Sequence, residues 1–131
     1  MVVNSAIILG LDVLPSSEKM KKFAYFLIDD KGQRIENGYV SLNNLPLLIK
    51  KHMVDIIAID NIFELYNDPQ ELIAFLKRYP VKLMQVTGFG GEAQKLGFLA
   101  KKYGLFKGGK LSPEKAAEVS AKLAYMGVGA E

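Results

Sequence analysis

Hydrophobic and polar positions along this chain change period once, near residue 42, and the change separates two styles of architecture. Before it, apolar residues come in short runs or alternate, as strands require. The first run, Ala6-Ile7-Ile8-Leu9-Gly10-Leu11-Asp12-Val13, reads as a strand buried on both faces, with one acid near its C-terminal end. Pro15-Ser16-Ser17-Glu18 reads as a turn and Lys19-Met20-Lys21-Lys22 as a solvated basic segment. Phe23 to Ile28 is a second strand, Asp29-Asp30-Lys31-Gly32 a hairpin turn, and Gln33 to Leu42 an alternating third strand with Ile35, Tyr39 and Val40 as packing residues. Three strands joined by short turns are antiparallel neighbours.

Beyond that point the helical period alternates with buried strands. Leu45, Leu48, Ile49 and Met53 recur at helical spacing, with Asn43 or Asn44 placed to cap and Pro46 tolerated in the first turn. Val54-Asp55-Ile56-Ile57-Ala58-Ile59-Asp60 is a fourth strand that also ends in an acid. After a break at Asn67-Asp68-Pro69 a helix runs through Leu72, Ile73, Phe75 and Leu76, and Val81 to Val86 is a fifth strand. Thr87-Gly88-Phe89-Gly90-Gly91 is a loop, Glu92 to Tyr103 a short helix, and Lys107-Gly108-Gly109-Lys110 a basic glycine-rich loop. Ser112 as N-cap and Pro113 at the first helical position open a last helix that runs to about Tyr125. Strand–helix–strand units require parallel, right-handed crossovers. The predicted fold is therefore α/β: a five-stranded mixed sheet, three antiparallel strands and then two parallel ones, with helices on both faces.

Composition narrows the chemistry. The 131 residues suit one domain with a substantial core, and neither a repeat nor a linker divides them. With no cysteine and one histidine, His52, thiolate metal sites, cysteine nucleophiles and multi-histidine zinc sites fall away, and a Ser-His-Asp triad is disfavoured. Any metal must be held by carboxylates, which selects a hard ion such as Mg2+ or Mn2+. The net charge of +3 is compatible with a polyanionic partner but too mild to specify one. The apolar N-terminal run is too short to span a bilayer and lacks the flanks of a signal peptide, so the expected compartment is the cytoplasm, with no membrane partner.

Asp12 and Asp60 both close apolar strands, and open α/β sheets bind ligands outside the C-terminal strand ends. If the two strands are adjacent and parallel, the carboxylates stand about one strand spacing apart, ~5 Å. Such a pair calls for a shared proton or a cation. Glu114 and Glu118, four apart, share a face of the last helix, and Glu118 sits among small residues; periodicity leaves open whether it faces the sheet or solvent. Plainer readings exist for each acid. Asp12 can cap a turn at Pro15-Ser16-Ser17, Asp60 can be a helix N-cap, and Glu118 can pair with Lys115 and Lys122. Glu64 and Glu114 can be solvated acids, and His52 a favourable charge at a helix end.

Gly10-Leu11-Asp12, Ala58-Ile59-Asp60-Asn61 and Ala117-Glu118-Val119-Ser120-Ala121, in this order of elements, resemble the ribonuclease H-like superfamily, in particular its RuvC/YqgF-type branch. Asp60-Asn61-Ile62-Phe63-Glu64-Leu65, Gln85-Val86-Thr87-Gly88 and Gly127-Val128-Gly129 are more narrowly similar to an uncharacterised archaeal family of RuvC-like predicted nucleases, whose domain usually belongs to a longer protein. The resemblance covers nearly the whole chain, which then is either a stand-alone version or a part cut from a longer one. Asp60 stands where RuvC-type enzymes generally carry Glu, and Glu118 where Asp is typical.

The resemblance implies a ribonuclease H-like fold and two-metal hydrolysis of phosphodiester bonds in DNA or RNA. Asp12, Asp60 and Glu118 would be the catalytic and metal residues, with Asp12 bridging two Mg2+ or Mn2+ ions and Glu64 and Glu114 as outer ligands. Lys101, Lys102, Lys107 and Lys110 would contact the nucleic-acid backbone. RuvC-type resolvases act as dimers, so a homodimer or neighbouring domains are the expected protein partners. The alternative is a catalytically inactive domain that binds nucleic acid or another protein. A nucleotide-binding relative of the actin and sugar-kinase branch is set aside for want of its glycine hairpin and paired domain.

Overall fold

The computed structural model describes residues 6–15, 20–89 and 94–129. The sheet contains β1 (Ile8–Val13), β2 (Lys22–Ile28), β3 (Arg34–Ser41), β4 (Ile56–Ile59) and β5 (Lys82–Gln85), in the order β3-β2-β1-β4-β5. β1 pairs antiparallel with β2 and β2 with β3, while β4 runs parallel to β1 and β5 parallel to β4. The mixed sheet expected from the hydrophobic pattern is thus present. The β2–β3 hairpin turns at Asp29, whose carboxylate accepts from the Lys31 and Gln33 amides at 2.9 Å each.

The helices are α1 (Leu45–His52), α2 (Pro69–Arg78), α3 (Leu96–Lys102) and α4 (Pro113–Tyr125). They divide between two cores. Leu9, Leu11, Ile57 and Ile59 pack with Leu45, Ile49, Leu72 and Phe75 on the side of α1 and α2. Ile8, Ala58 and Met84 pack with Leu99, Ala116, Val119 and Leu123 on the side of α3 and α4. Alternation along β1 assigns its residues to the two cores in turn, so Gly10 and Asp12 share the α4 side with Ile8. Gly10 explains how closely α4 lies. A Cβ there would stand 2.1 Å from the Ala117 carbonyl oxygen and 2.9 Å from the Ala121 Cβ. Only a residue without a side chain lets the helix rest on β1 at this height.

At several points the structure departs from the hydrophobic pattern. β4 ends at Ile59, so Asp60 lies just beyond the strand. A single 3-10 turn over Leu42–Asn44, capped by Ser41, precedes the α-helix that starts at Leu45, and Asn44 occupies its N-cap position without a side-chain cap bond. Ile35 and Tyr39 are exposed rather than packed, because β3 is the sheet edge and α4, on their side, rests mainly over β1 and β2. Ser112 is the side-chain cap of α4, as its position before Pro113 suggested, and Asp68, within the expected break, is that of α2. The helix expected over Glu92 to Tyr103 begins only at Leu96, with Gln94 and Lys95 outside it, while Glu92, most of the Pro15–Glu18 turn, Lys19 and the Gly90-Gly91 pair lie outside the described residues. Among the described residues no helix is long and apolar enough to cross a membrane.

Candidate functional site

The site grows from the parallel pairing of β1 and β4. Leu11 stands opposite Ile59, so the next step along each chain brings Asp12, the penultimate residue of β1, level with Asp60, the residue after β4. Both are half-buried, and both line a cleft of about 530 Å³ with Gln94, Lys95, Leu96, Gly97, Leu111 and Ala116. The cleft lies where the N-terminal ends of α3 and α4 meet the sheet.

The turn after β4 is tied down from three sides. Asn61 caps the 3-10 turn Ile62–Glu64, its side-chain oxygen accepting from the Phe63 amide at 3.0 Å. Gln85 accepts from the Ile62 amide at 2.9 Å and donates to the Gly88 carbonyl at 2.7 Å, joining this turn to the end of β5. The Thr87 hydroxyl donates to the Asp60 carbonyl at 2.8 Å, and the Lys21 ammonium to the Glu64 carbonyl at 2.7 Å. The cap is Asn61, so Asp60 has no capping role at this turn and its carboxylate is directed elsewhere.

Electrostatics pick out the same residues. Burial first, then the charges of Glu64, Asp60 and Glu114, push the Asp12 carboxyl up to about 7. Burial raises Asp60 as well, with the nearby Thr87 hydroxyl partly opposing it. Glu64 is raised by burial and by Asp60, with Lys21 opposing, and its Oε1 is buried without a hydrogen-bond partner. Glu114, in the first turn of α4, accepts a hydrogen bond from the Tyr39 hydroxyl, which holds its carboxyl below the usual range. The favourable N-terminal end of the helix dipole acts in the same direction. Tyr39 reaches this point because Asp12, Ala24 and Tyr39 form one row across β1, β2 and β3.

Of the residues singled out in the sequence, Asp12, Asp60, Glu64 and Glu114 thus interact as a group of carboxylates. Glu118 is placed differently. Its Oε2 is 2.6 Å from the Lys122 ammonium and its Oε1 3.3 Å from that of Lys115. Partial burial raises its carboxyl, but the two lysines outweigh this and leave it lowered. Lys122 also lies over the Phe26 ring, 5.9 Å from its centroid, which sets this part of α4 over β2. His52 ends α1 with its Nε2 3.6 Å from Glu36, far in the fold from the acids. Among the described residues no three His, Asp or Glu side chains already gather at ligating distance around one point. Lys101, Lys102, Lys107 and Lys110 are exposed on α3 and the loop that follows it.

Tyr39, Gln85, Thr87 and Lys95 belong to this site; Gln85 and Thr87 were marked in the sequence only by the resemblance of Gln85-Val86-Thr87-Gly88, and Tyr39 and Lys95 carried no chemical signal. The signal for Tyr39 was its register opposite Ala24 and hence Asp12, which pairing alone supplies. Gln85 and Thr87 could have been sought as polar residues closing an otherwise apolar strand. Comparison with protein-family models, with curated proteins and with solved structures found no match for this chain.

Proposed function

We propose that this chain is a ribonuclease H-like domain of the RuvC type that hydrolyses phosphodiester bonds in nucleic acid with the help of a divalent cation. The observation that carries the proposal is the position of Asp12 and Asp60, level with one another at the C-terminal ends of adjacent parallel strands in a β3-β2-β1-β4-β5 sheet.

The residues suit a hard cation such as Mg2+ or Mn2+. All four acids offer oxygen donors, the preferred ligands of these ions. Asp12 is held near neutrality by burial and by three other carboxylates, a penalty that a bound cation removes. The buried Oε1 of Glu64 lacks any partner among the described residues, and an ion is one group able to satisfy it. In this reading Asp12 and Asp60 hold the ion, and Glu64 and Glu114 complete its shell by side-chain rotation. Glu114 then fills the place that the resemblance gave to Glu118. When bound, the ion supplies charge stabilisation at the scissile phosphate and lowers the pKa of an attacking water. The chain itself contributes Lys95, at the cleft wall, to orient a phosphate, and the Gln85–Thr87 ties that keep the Asp60 turn from shifting. The test is cleavage of end-labelled single- and double-stranded oligonucleotides in Mn2+. Activity that disappears in Asp12→Asn and in EDTA supports the proposal; activity equal in wild type and Asp12→Asn refutes it.

A second reading is a domain of this fold that binds nucleic acid without cutting it. It is favoured by the absence, among the described residues, of three acids already gathered and by the two lysines on Glu118. Binding that persists with Mn2+ but never yields product is its signature.

A further inference from the structure

Charge is unevenly distributed along this chain. Residues 94–111 contain five lysines and no acid, whereas the remainder holds twelve basic against fourteen acidic residues. A segment of eighteen residues therefore carries all of the net positive charge, and the rest of the protein is weakly acidic. The segment folds as α3 and the loop leading to α4. Leu96, Leu99 and Ala100 bury one side of α3 in the core. The opposite side presents Lys95, Phe98, Lys101 and Lys102, spaced three and four apart so that they adjoin. Phe98 is 56% exposed, a large apolar cost for a position with no packing role. Tyr103 is also exposed, with the Lys102 ammonium 5.7 Å from its ring centroid. The loop returns alongside: a Cβ on Gly108 would lie 3.5 Å from the Lys101 Cε, which brings Lys107 and Lys110 beside the helix. None of these five lysines has an acidic partner among the described residues. Lys95 continues the surface into the cleft that contains Asp12 and Asp60.

We propose that the exposed face of α3 and the 107–110 loop form a track for single-stranded nucleic acid that delivers its backbone to the Asp12–Asp60 cleft. Unpaired lysines neutralise successive phosphates, and an exposed ring among them offers a face on which an unpaired base stacks. A duplex keeps its bases stacked on each other and has no use for Phe98. The assignment of an unpaired substrate rests on the nuclease reading for its direction toward the cleft, but the track itself requires no chemistry.

The test is fluorescence anisotropy of a labelled 20-nucleotide oligothymidine in EDTA, where cleavage cannot contribute. Wild type is expected to bind with an affinity that falls steeply as salt rises. Phe98→Ala should weaken the single strand about 5- to 100-fold while changing duplex binding little. Lys101→Ala/Lys102→Ala should lower the slope of log K against log salt by roughly 1.4, about 0.7 for each phosphate that is no longer neutralised. All these side chains are exposed, so the variants should keep the wild-type circular dichroism and melting temperature. No binding at low salt, binding indifferent to both variants, or preference for phosphatidylserine vesicles over the oligonucleotide would each overturn the track. Loss of cleavage with binding intact would count against the nuclease reading alone.

Discussion

Asp12 is the residue on which the electrostatics converge, and its titration makes a prediction with a definite sign. Its folded-state pKa of about 7 lies above the 3.8 of the free side chain, so between those values the folded protein holds a proton that the unfolded chain has released. Stability from this group is therefore complete below pH 4 and lost as pH rises through 7. Taken in full the displacement is worth ~4 kcal/mol, and solvent screening at a half-buried position reduces it to roughly 1–2 kcal/mol. Asp12→Asn should accordingly melt several degrees higher than wild type at pH 8 and equal it at pH 4, as measured by circular dichroism without divalent ions. The two glutamates of α4 give a second contrast. Glu118→Gln breaks its pairing with two partly exposed lysines and should cost under ~1 kcal/mol, leaving any Mn2+-induced rise in melting temperature intact. Glu114→Gln should diminish that rise. Helical spacing put both acids on one face, but which of them stands near Asp12 depends on where α4 rests along β1, and spacing alone contains no such information.

At the level of elements, that resting point is set by Gly10. Alternation in the first strand showed which core each residue enters, and the apolar runs located all five strands to within two residues. The glycine's meaning appears only once Ala117 and Ala121 are seen above it. Gly10→Ala should destabilise the fold by roughly 3 kcal/mol, because the helix must lift away from the sheet, and it should lower metal affinity with it, since Glu114 moves too. Urea unfolding and a Mn2+ titration of the same variant check both halves. Gln85 is the corresponding tie on the other side of the cleft. Gln85→Leu leaves the Ile62 amide and the Gly88 carbonyl without their partner, at a cost of roughly 1–3 kcal/mol by the same unfolding assay. A side-chain bond between residues 23 positions apart has no local signature, which is why the sequence was silent about it.

For the whole molecule, strand order converts scattered acids into a site. Asp12 and Asp60 are 48 residues apart in the chain, and only the parallel β1–β4 pairing sets them side by side. The order of elements was readable because each change of hydrophobic period is unambiguous, whereas the lysines of α3 and its loop were marked only by the resemblance, and Lys95 and Phe98 not at all. The significance of this face comes from lying beside an acidic cleft on an otherwise weakly acidic protein. Whether the cleft takes a cation is the deciding question. Paramagnetic broadening of backbone amide signals by Mn2+, followed by NMR with and without the Asp12→Asn substitution, addresses this most directly. The expected result is broadening centred on residues around Asp12, Asp60, Glu64 and Glu114 and abolished by the substitution. No localised broadening at millimolar Mn2+, with the oligothymidine also present, would contradict it.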